Sequence, residues 1–182
     1  TKYFIVGLQN RQTVPVQNPY ANGNAWFVDK ISYVDNANEE IDAVGKLNLR
    51  HEAVADKKFE AQLGKATPET STDLITLKAY EPNHLVYNVT SKNGGIIVFS
   101  EVYYPGWTAT VDGQQAELGR ANYILRALNV KPGKHEVVLD FHPASLRKTE
   151  GIAYASYGVL ALILALGIFM EWKKRKETAV EQ

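Results

Sequence analysis

The sequence predicts a mainly β protein: a β-sandwich of jelly-roll or immunoglobulin-like type, with a small α/β part before it and one transmembrane helix at the C-terminal end. Three observations carry this prediction. Residues 73–142 alternate apolar and polar side chains with a period of two, and turn signals separate the runs. Residues 1–66 mix strand-like and helix-like patterns. Residues 151–170 contain no charged side chain.

Composition excludes several classes of protein. The chain has 182 residues, 45% hydrophobic and 22% charged, with 20 basic and 20 acidic residues and no cysteine. These fractions are close to those of folded domains, and zero net charge does not favour a nucleic-acid partner. The lack of cysteine excludes disulfides, thiol catalysis and thiolate zinc sites. About 150 residues are enough to bury a core without disulfide bonds.

The segment 1–66 is predicted to be a small mixed α/β part. Residues 26–28, 31–34 and 52–55 are rich in β-branched, aromatic and small apolar residues and predict strands. Between them, Asn36 is placed to cap a short helix that ends near Gly45, and Glu39 completes a capping box. Residues 57–63 fit either a helical turn or a loop, and residues 64–72 have the composition of a linker.

The segment 73–142 is predicted to form the sandwich. Asp112-Gly113 suits a type I′ turn and Pro132-Gly133 a type II turn, because both need positive φ values that these residues tolerate. Val137 and Leu139 share one face of the last strand. The predicted strands are 74–77, 85–90, 96–102, 107–111, 123–130 and 136–141.

Residues 151–172 are predicted to span a membrane. The uncharged run of residues 151–170 would extend about 30 Å as a helix, which matches the hydrocarbon core of a bilayer. The tail, 173–182, begins with four basic residues, whereas the preceding flank carries less positive charge. The positive-inside rule then predicts a cytoplasmic tail and an extracytoplasmic segment 1–150. The lipid bilayer is thus a predicted partner.

No catalytic or metal-binding pattern stands out. The four histidines are scattered along the chain, and none of them forms a ligand spacing such as H-x-x-x-H. The chain also lacks a nucleophile elbow, a Walker loop and a dinucleotide-binding fingerprint. We therefore predict no catalytic residue, no metal ligand and no cofactor in this segment.

An aromatic cluster around a Pro-Gly turn is the strongest candidate for a ligand site. Exposed aromatic rings beside Arg and Asn can bind a sugar, because the rings contact its C–H faces while polar groups bind its hydroxyls. In the alternative, the rings pack the sandwich core and Arg120 pairs with Glu101 or Glu117. The candidate sugar-binding residues are Tyr103, Tyr104, Trp107, Arg120, Asn122 and Tyr123.

Two long stretches resemble the C-terminal end of the YfhO family of bacterial membrane proteins. They are S-E-V-Y-Y-P-G-W-T-A-T-V-D-G at residues 100–113 and G-R-A-N-Y-I-L-R-A-L-N-V-K-P-G-K-H-E-V at residues 119–137. The shorter stretches G-N-A-W-F-V at 23–28 and N-E-E-I-D-A at 38–43 are similar to that family too.

The resemblance implies a segment of a larger protein. Members of the family are polytopic, with an extracytoplasmic β-rich domain and a final C-terminal helix, and they resemble glycosyltransferases that use lipid-linked sugars. In that enzyme class the catalytic carboxylates lie in extracytoplasmic loops of the N-terminal membrane part, which this chain lacks. We therefore expect a non-catalytic domain in the bacterial cytoplasmic membrane that covers the membrane site or positions a glycan or lipid-linked sugar. A membrane-anchored carbohydrate-binding module and a purely structural domain docked on the missing transmembrane bundle are the alternatives.

Overall fold

The computed structural model describes residues 2–7 and 12–180, and it describes side chains outside 144–148 and 173–180. The chain divides into a compact unit that ends at Phe141 and a second unit that begins at His142. Within the described residues the first unit contains the strands β1 (Tyr3–Gly7), β2 (Thr13–Gln17), β3 (Ala25–Val28), β4 (Lys30–Val34), β5 (Glu52–Asp56), β6 (Leu74–Glu81), β7 (His84–Ser91), β8 (Gly95–Val102), β9 (Trp107–Val111), β10 (Gln114–Ala116), β11 (Gly119–Ala121), β12 (Leu125–Val130) and β13 (Gly133–Phe141), and the helices α1 (Ala37–Val44) and α2 (Glu60–Leu63).

Two antiparallel sheets form the predicted sandwich. One has the strand order β10-β9-β13-β7-β6 and the other the order β11-β12-β8-β3. Between them lies a core of apolar side chains from both sheets, which includes Tyr87, Phe99, Leu128 and Leu139. Full burial of one Val, Leu, Ile or Phe side chain is worth about 1.5–3 kcal/mol, so this layer makes a large contribution to the stability of the unit. The mainly β fold class is confirmed.

The four-stranded sheet is buried on both faces. On the side away from the sandwich core, Trp26, Ile96 and Val98 pack against side chains of β5 and α2 and of the 3₁₀ turn Lys57–Phe59. Four consecutive residues of β8, Ile96 to Phe99, are therefore fully buried. This double burial explains why β8 reads as a continuous apolar run, whereas strands with one solvated face alternate.

A small α/β layer provides this second cover. Strands β4 and β5 are parallel, and α1 makes the crossover between them, as a parallel pair requires. The predicted cap of α1 is present: the Asn36 side chain accepts hydrogen bonds from the N–H groups of Asn38 and Glu39. Residues 57–63, which the sequence left open, form a 3₁₀ turn followed by α2.

Strand β3 links the predicted segments 1–66 and 73–142. It pairs with β8 from Ala25↔Phe99 to Val28↔Ile96 and forms an edge of the four-stranded sheet. Both segments therefore contribute to the same compact unit up to Phe141.

The second unit contains one long helix, α3 (Ala144–Val180). Its stretch Thr149–Trp172 is 24 residues long, contains an 18-residue window with a mean hydropathy of 2.2, and is long and apolar enough to cross a membrane. The predicted span 151–172 lies inside it. For the predicted basic tail 173–182, the backbone is described as helix to Val180, and its side chains lie outside the described residues.

Candidate functional site

The turn between β8 and β9 brings three of the predicted aromatic residues together. Gly106 has a φ of 108°, which an L side chain rarely adopts, and the N–H of Trp107 bonds to the carbonyl of Tyr104 at 3.4 Å. Pro105 precedes this glycine and favours the same turn. The Tyr-Pro-Gly-Trp sequence therefore folds into a tight turn that places Tyr104 and Trp107 at its two ends.

These residues line a surface cleft of about 330 Å³, which we call the aromatic cleft. Tyr104 is 61% exposed, whereas Tyr103 and Trp107 are half-buried. Two of these rings pack against other aromatic rings: the ring centroid of Trp107 lies 5.2 Å from that of Phe141, and the ring centroid of Tyr103 lies 5.5 Å from that of Phe59. The cleft is lined by Tyr103, Tyr104 and Trp107 and by polar residues that include Gln115 and Glu117.

Trp107 packs on a buried arginine. The Arg126 guanidinium lies 3.9 Å from the centre of the indole, is 1% exposed and forms an ion pair with Glu101. Burial lowers the pKa of Arg126 below its ordinary value, against the opposing influence of the Glu101 carboxylate. A cation between the tryptophan and a carboxylate fixes the indole ring in place.

The other three predicted residues form a separate buried polar cluster centred on Glu40. This carboxylate has no exposed surface, and it accepts hydrogen bonds from Arg120 Nη2 at 2.5 Å and from the N–H of Tyr123 at 2.9 Å. Asn122 binds both backbone groups of Val54: its N–H donates to the carbonyl at 2.7 Å and its side-chain oxygen accepts from the N–H at 3.1 Å. Arg120 and Asn122 thus bind the protein itself. The alternative prediction that Arg120 pairs with Glu101 or Glu117 is wrong.

Phe59 lies between the two groups of residues. Its ring contacts Tyr103 of the aromatic cleft, and the Arg120 guanidinium lies 5.7 Å from its centre. Arg120, Asn122 and Tyr123 are not among the residues that line the aromatic cleft, and Arg120 is connected to it through Phe59.

Sequence reasoning missed Glu40. A signal was available, because Glu40 lies three and four residues before Ala43 and Val44 and so shares the inward face of α1. Ile41, the apolar residue next to it, is 49% exposed instead. A charged residue on an apolar helix face indicates a buried partner, here Arg120.

Three of the four histidines pair with aspartates. The Nδ1 atom of His51 lies 2.7 Å from an Asp29 carboxylate oxygen, that of His84 lies 2.6 Å from Asp140, and that of His135 lies 2.7 Å from Asp112. Across the residues that the structure describes, no three His, Asp or Glu side chains converge as metal ligands.

These features define a β-rich domain that is followed in sequence by a helix able to cross a membrane. This combination is typical of a segment of a membrane protein. The family model described as "Bacterial membrane protein YfhO" matches residues 40–152. Because this match covers more than half of the chain, the protein belongs to the YfhO family of bacterial membrane proteins. The matched residues include strands β5 to β13 and the whole aromatic cleft. The searches of curated proteins and of solved structures found no significant match.

Proposed function

We propose that this chain is the non-catalytic, extracytoplasmic domain and final helix of a polytopic bacterial membrane protein, in which it covers the membrane-embedded site and positions a glycan or lipid-linked sugar. The observation that carries this proposal is the aromatic cleft, which presents an exposed tyrosine beside polar groups on an otherwise well-packed sandwich. Membership of a membrane-protein family supports the membrane context. A glycosyltransferase-like reaction of the complete protein would take place outside residues 1–182.

The orientation rests on charge. Four basic residues, 173–176, follow the candidate span, while the preceding flank contains Arg147, Lys148 and Glu150. The larger positive charge favours the cytoplasmic side for the tail. The aromatic cleft would then face the outside, where glycans of the cell envelope and lipid-linked sugars are elongated or transferred.

The cleft binds a sugar ring by stacking and by hydrogen bonds. The exposed face of Tyr104 contacts the C–H face of the ring, and Trp107, fixed by Arg126, forms the wall beside it. Gln115 and Glu117 are exposed at the same cleft and bind hydroxyls. A pocket with a few convergent polar groups and aromatic walls is typical of small-ligand sites.

A binding titration tests the cleft. The full chain is purified in a detergent without a sugar headgroup and titrated calorimetrically with cellotetraose and chitotetraose. We expect Tyr104→Ala to weaken binding at least tenfold, because it removes the exposed stacking surface. Tyr20→Ala is the matched control, since Tyr20 is 88% exposed and lies outside the cleft. Equal effects of the two substitutions, or no binding by the wild type, would contradict the proposal.

A purely structural docking domain is the second candidate, and the hairpin β1–β2 favours it. Tyr3, Phe4, Ile5 and Val6 of this hairpin are 43–79% exposed and carry no charge. Exposed apolar surface of this kind marks a contact site, here with further transmembrane helices of the same protein. Ile5→Asp should then lower the Tm of the complete protein while leaving the Tm of residues 1–182 unchanged. An unchanged Tm in both would exclude docking through Ile5.

A further inference from the structure

A second groove runs along the side of the sandwich where the edge strands β3 and β6 meet. It consists of two clefts of about 390 and 410 Å³ that share Asn24 and Leu77. The first cleft follows Ala25 and Phe27 of β3, and the second reaches Tyr80 at the far end of β6. We call these two adjoining clefts together the edge groove. Its elongated form suits a linear ligand rather than a single small molecule.

A buried hydroxyl without a partner lies at the edge groove. Tyr87 lines the first cleft, is 1% exposed, and its hydroxyl makes no hydrogen bond within the described part of the chain. Buried hydroxyls are normally paired, because leaving one unpaired costs about 1–3 kcal/mol. Burial, with a smaller contribution from the Glu101 carboxylate, raises the pKa of Tyr87 to about 12, so the hydroxyl keeps its proton and can donate it to a ligand oxygen.

Further polar groups along the groove are also free to bind. The exposed side chain of Asn24 makes no hydrogen bond to any described residue, and only one oxygen of Glu101 is used, by Arg126. The Tyr80 ring is 65% exposed at the end of the groove. The groove thus offers an amide, a carboxylate oxygen, a hydroxyl and an aromatic face.

The charges disfavour an anionic ligand. Arg50, the one cation among the described lining residues, is already paired with Glu69 at 3.7 Å, and Asp73 adds negative charge. A phosphate-bearing or acidic chain would meet no unpaired cation there. A lipid tail would leave the amide, hydroxyl and carboxylate without partners. Neutral hydroxyl groups satisfy all of them.

We propose that the edge groove between β3 and β6 binds a neutral, linear glycan segment through Asn24, Tyr80, Tyr87 and Glu101. This inference shares the ligand class of the proposed function but uses different residues, and no residue of the groove lines the aromatic cleft. The Glu101–Arg126 ion pair connects the two sites, because Glu101 lines the groove and Arg126 packs on Trp107 of the cleft. One glycan chain could therefore be held at two places on the domain.

The test separates the two sites by working in a Tyr104→Ala background, in which the aromatic cleft is impaired. The full chain, in a detergent without a sugar headgroup, is titrated with cellotetraose and, in a parallel arm, with inorganic phosphate. Cellotetraose binding that remains in this background belongs to the edge groove, and we expect it to weaken at least tenfold on adding Tyr80→Ala or Tyr87→Phe. Phosphate should not bind.

The comparison of stability with affinity in Tyr87→Phe distinguishes a ligand-binding hydroxyl from a structural one. It removes only the unpaired hydroxyl, so the Tm of the free protein should stay the same or rise while affinity for cellotetraose falls. Loss of all binding in Tyr104→Ala alone overturns the groove and leaves the cleft proposal standing. Binding that ignores Tyr80→Ala and Tyr87→Phe, or that is replaced by phosphate binding, also overturns the groove. An effect of these two substitutions without one of Tyr104→Ala supports the groove and contradicts the cleft.

Discussion

Replacement of Glu40 by alanine should cost about 3–5 kcal/mol of unfolding free energy. The substitution removes a fully buried carboxylate and leaves both of its donors, Arg120 Nη2 and the N–H of Tyr123, without their acceptor. Breaking a buried ion pair from one side costs about 3–5 kcal/mol. Arg120 keeps 19% of its side chain exposed and so regains some hydration, whereas the Tyr123 N–H adds the penalty of an unpaired backbone donor.

Urea unfolding of the full chain in detergent, followed by tryptophan fluorescence, measures this loss. Trp26 is 5% exposed and reports on the sheet that the Glu40 cluster supports. The matched control is Glu39→Ala on the same helix, which removes an exposed capping carboxylate and should cost about 0.5–1 kcal/mol. A loss below about 1 kcal/mol for Glu40→Ala, or one no larger than that of the control, would refute the assignment of Glu40 as the anchor of this cluster.

Two other predictions concern a turn and a pH dependence. Gly94→Ala should lower the free energy of unfolding, measured in urea, by about 2 kcal/mol or more, because a Cβ at φ +72° would lie 2.6 Å from the Val130 carbonyl oxygen. Gly113→Ala is the control. Its Cβ would meet open space, so only the strain of the positive φ, about 1 kcal/mol, is expected. The hydrogen bond to Asp112 raises the pKa of His135, so its contribution to stability is complete below pH about 6.5 and is lost as pH rises through the raised pKa. In an NMR titration, the pKa of His135 should fall toward about 6.5 in the variant Asp112→Asn. Asparagine can keep the left-handed backbone of the turn and the hydrogen bond from the Glu136 N–H. An unchanged pKa of His135 would contradict the pairing with Asp112.

Local patterns predicted most of the strands. The period of two located β6 to β9 and β13, and the Asp112-Gly113 turn has φ values of 52° and 78°, as a type I′ turn requires. The short strands β10 and β11 were missed because three residues are too few to show a period. Strand β12 begins at Leu125 rather than at 123, because Asn122 and Tyr123 adopt positive φ to reach Val54 and Glu40.

Local patterns predicted less of the candidate site. Tyr103, Tyr104 and Trp107 are close in sequence around one turn, so their cluster could be predicted from adjacency. The partner of Arg120 could not, because Glu40 is 80 residues away and belongs to a different layer of the fold. Pairings of this kind depend on how the α/β layer packs on the sheet, which no local pattern encodes. For the same reason the edge groove could not be predicted from the sequence, because β3 and β6 belong to different sheets and are brought together only by the packing of the fold.

Accessibility of single cysteines tests the central claim, that the β domain functions outside the cytoplasmic membrane. The chain has no cysteine, so Gln114→Cys on exposed β10 and Thr178→Cys in the tail each provide one reporter in the complete protein, once any cysteines outside residues 1–182 are changed to serine. Intact spheroplasts are treated with a membrane-impermeant maleimide before and after permeabilisation. We predict labelling of Gln114→Cys in intact spheroplasts and of Thr178→Cys only after permeabilisation. The reverse pattern, or labelling of both before permeabilisation, would contradict the account.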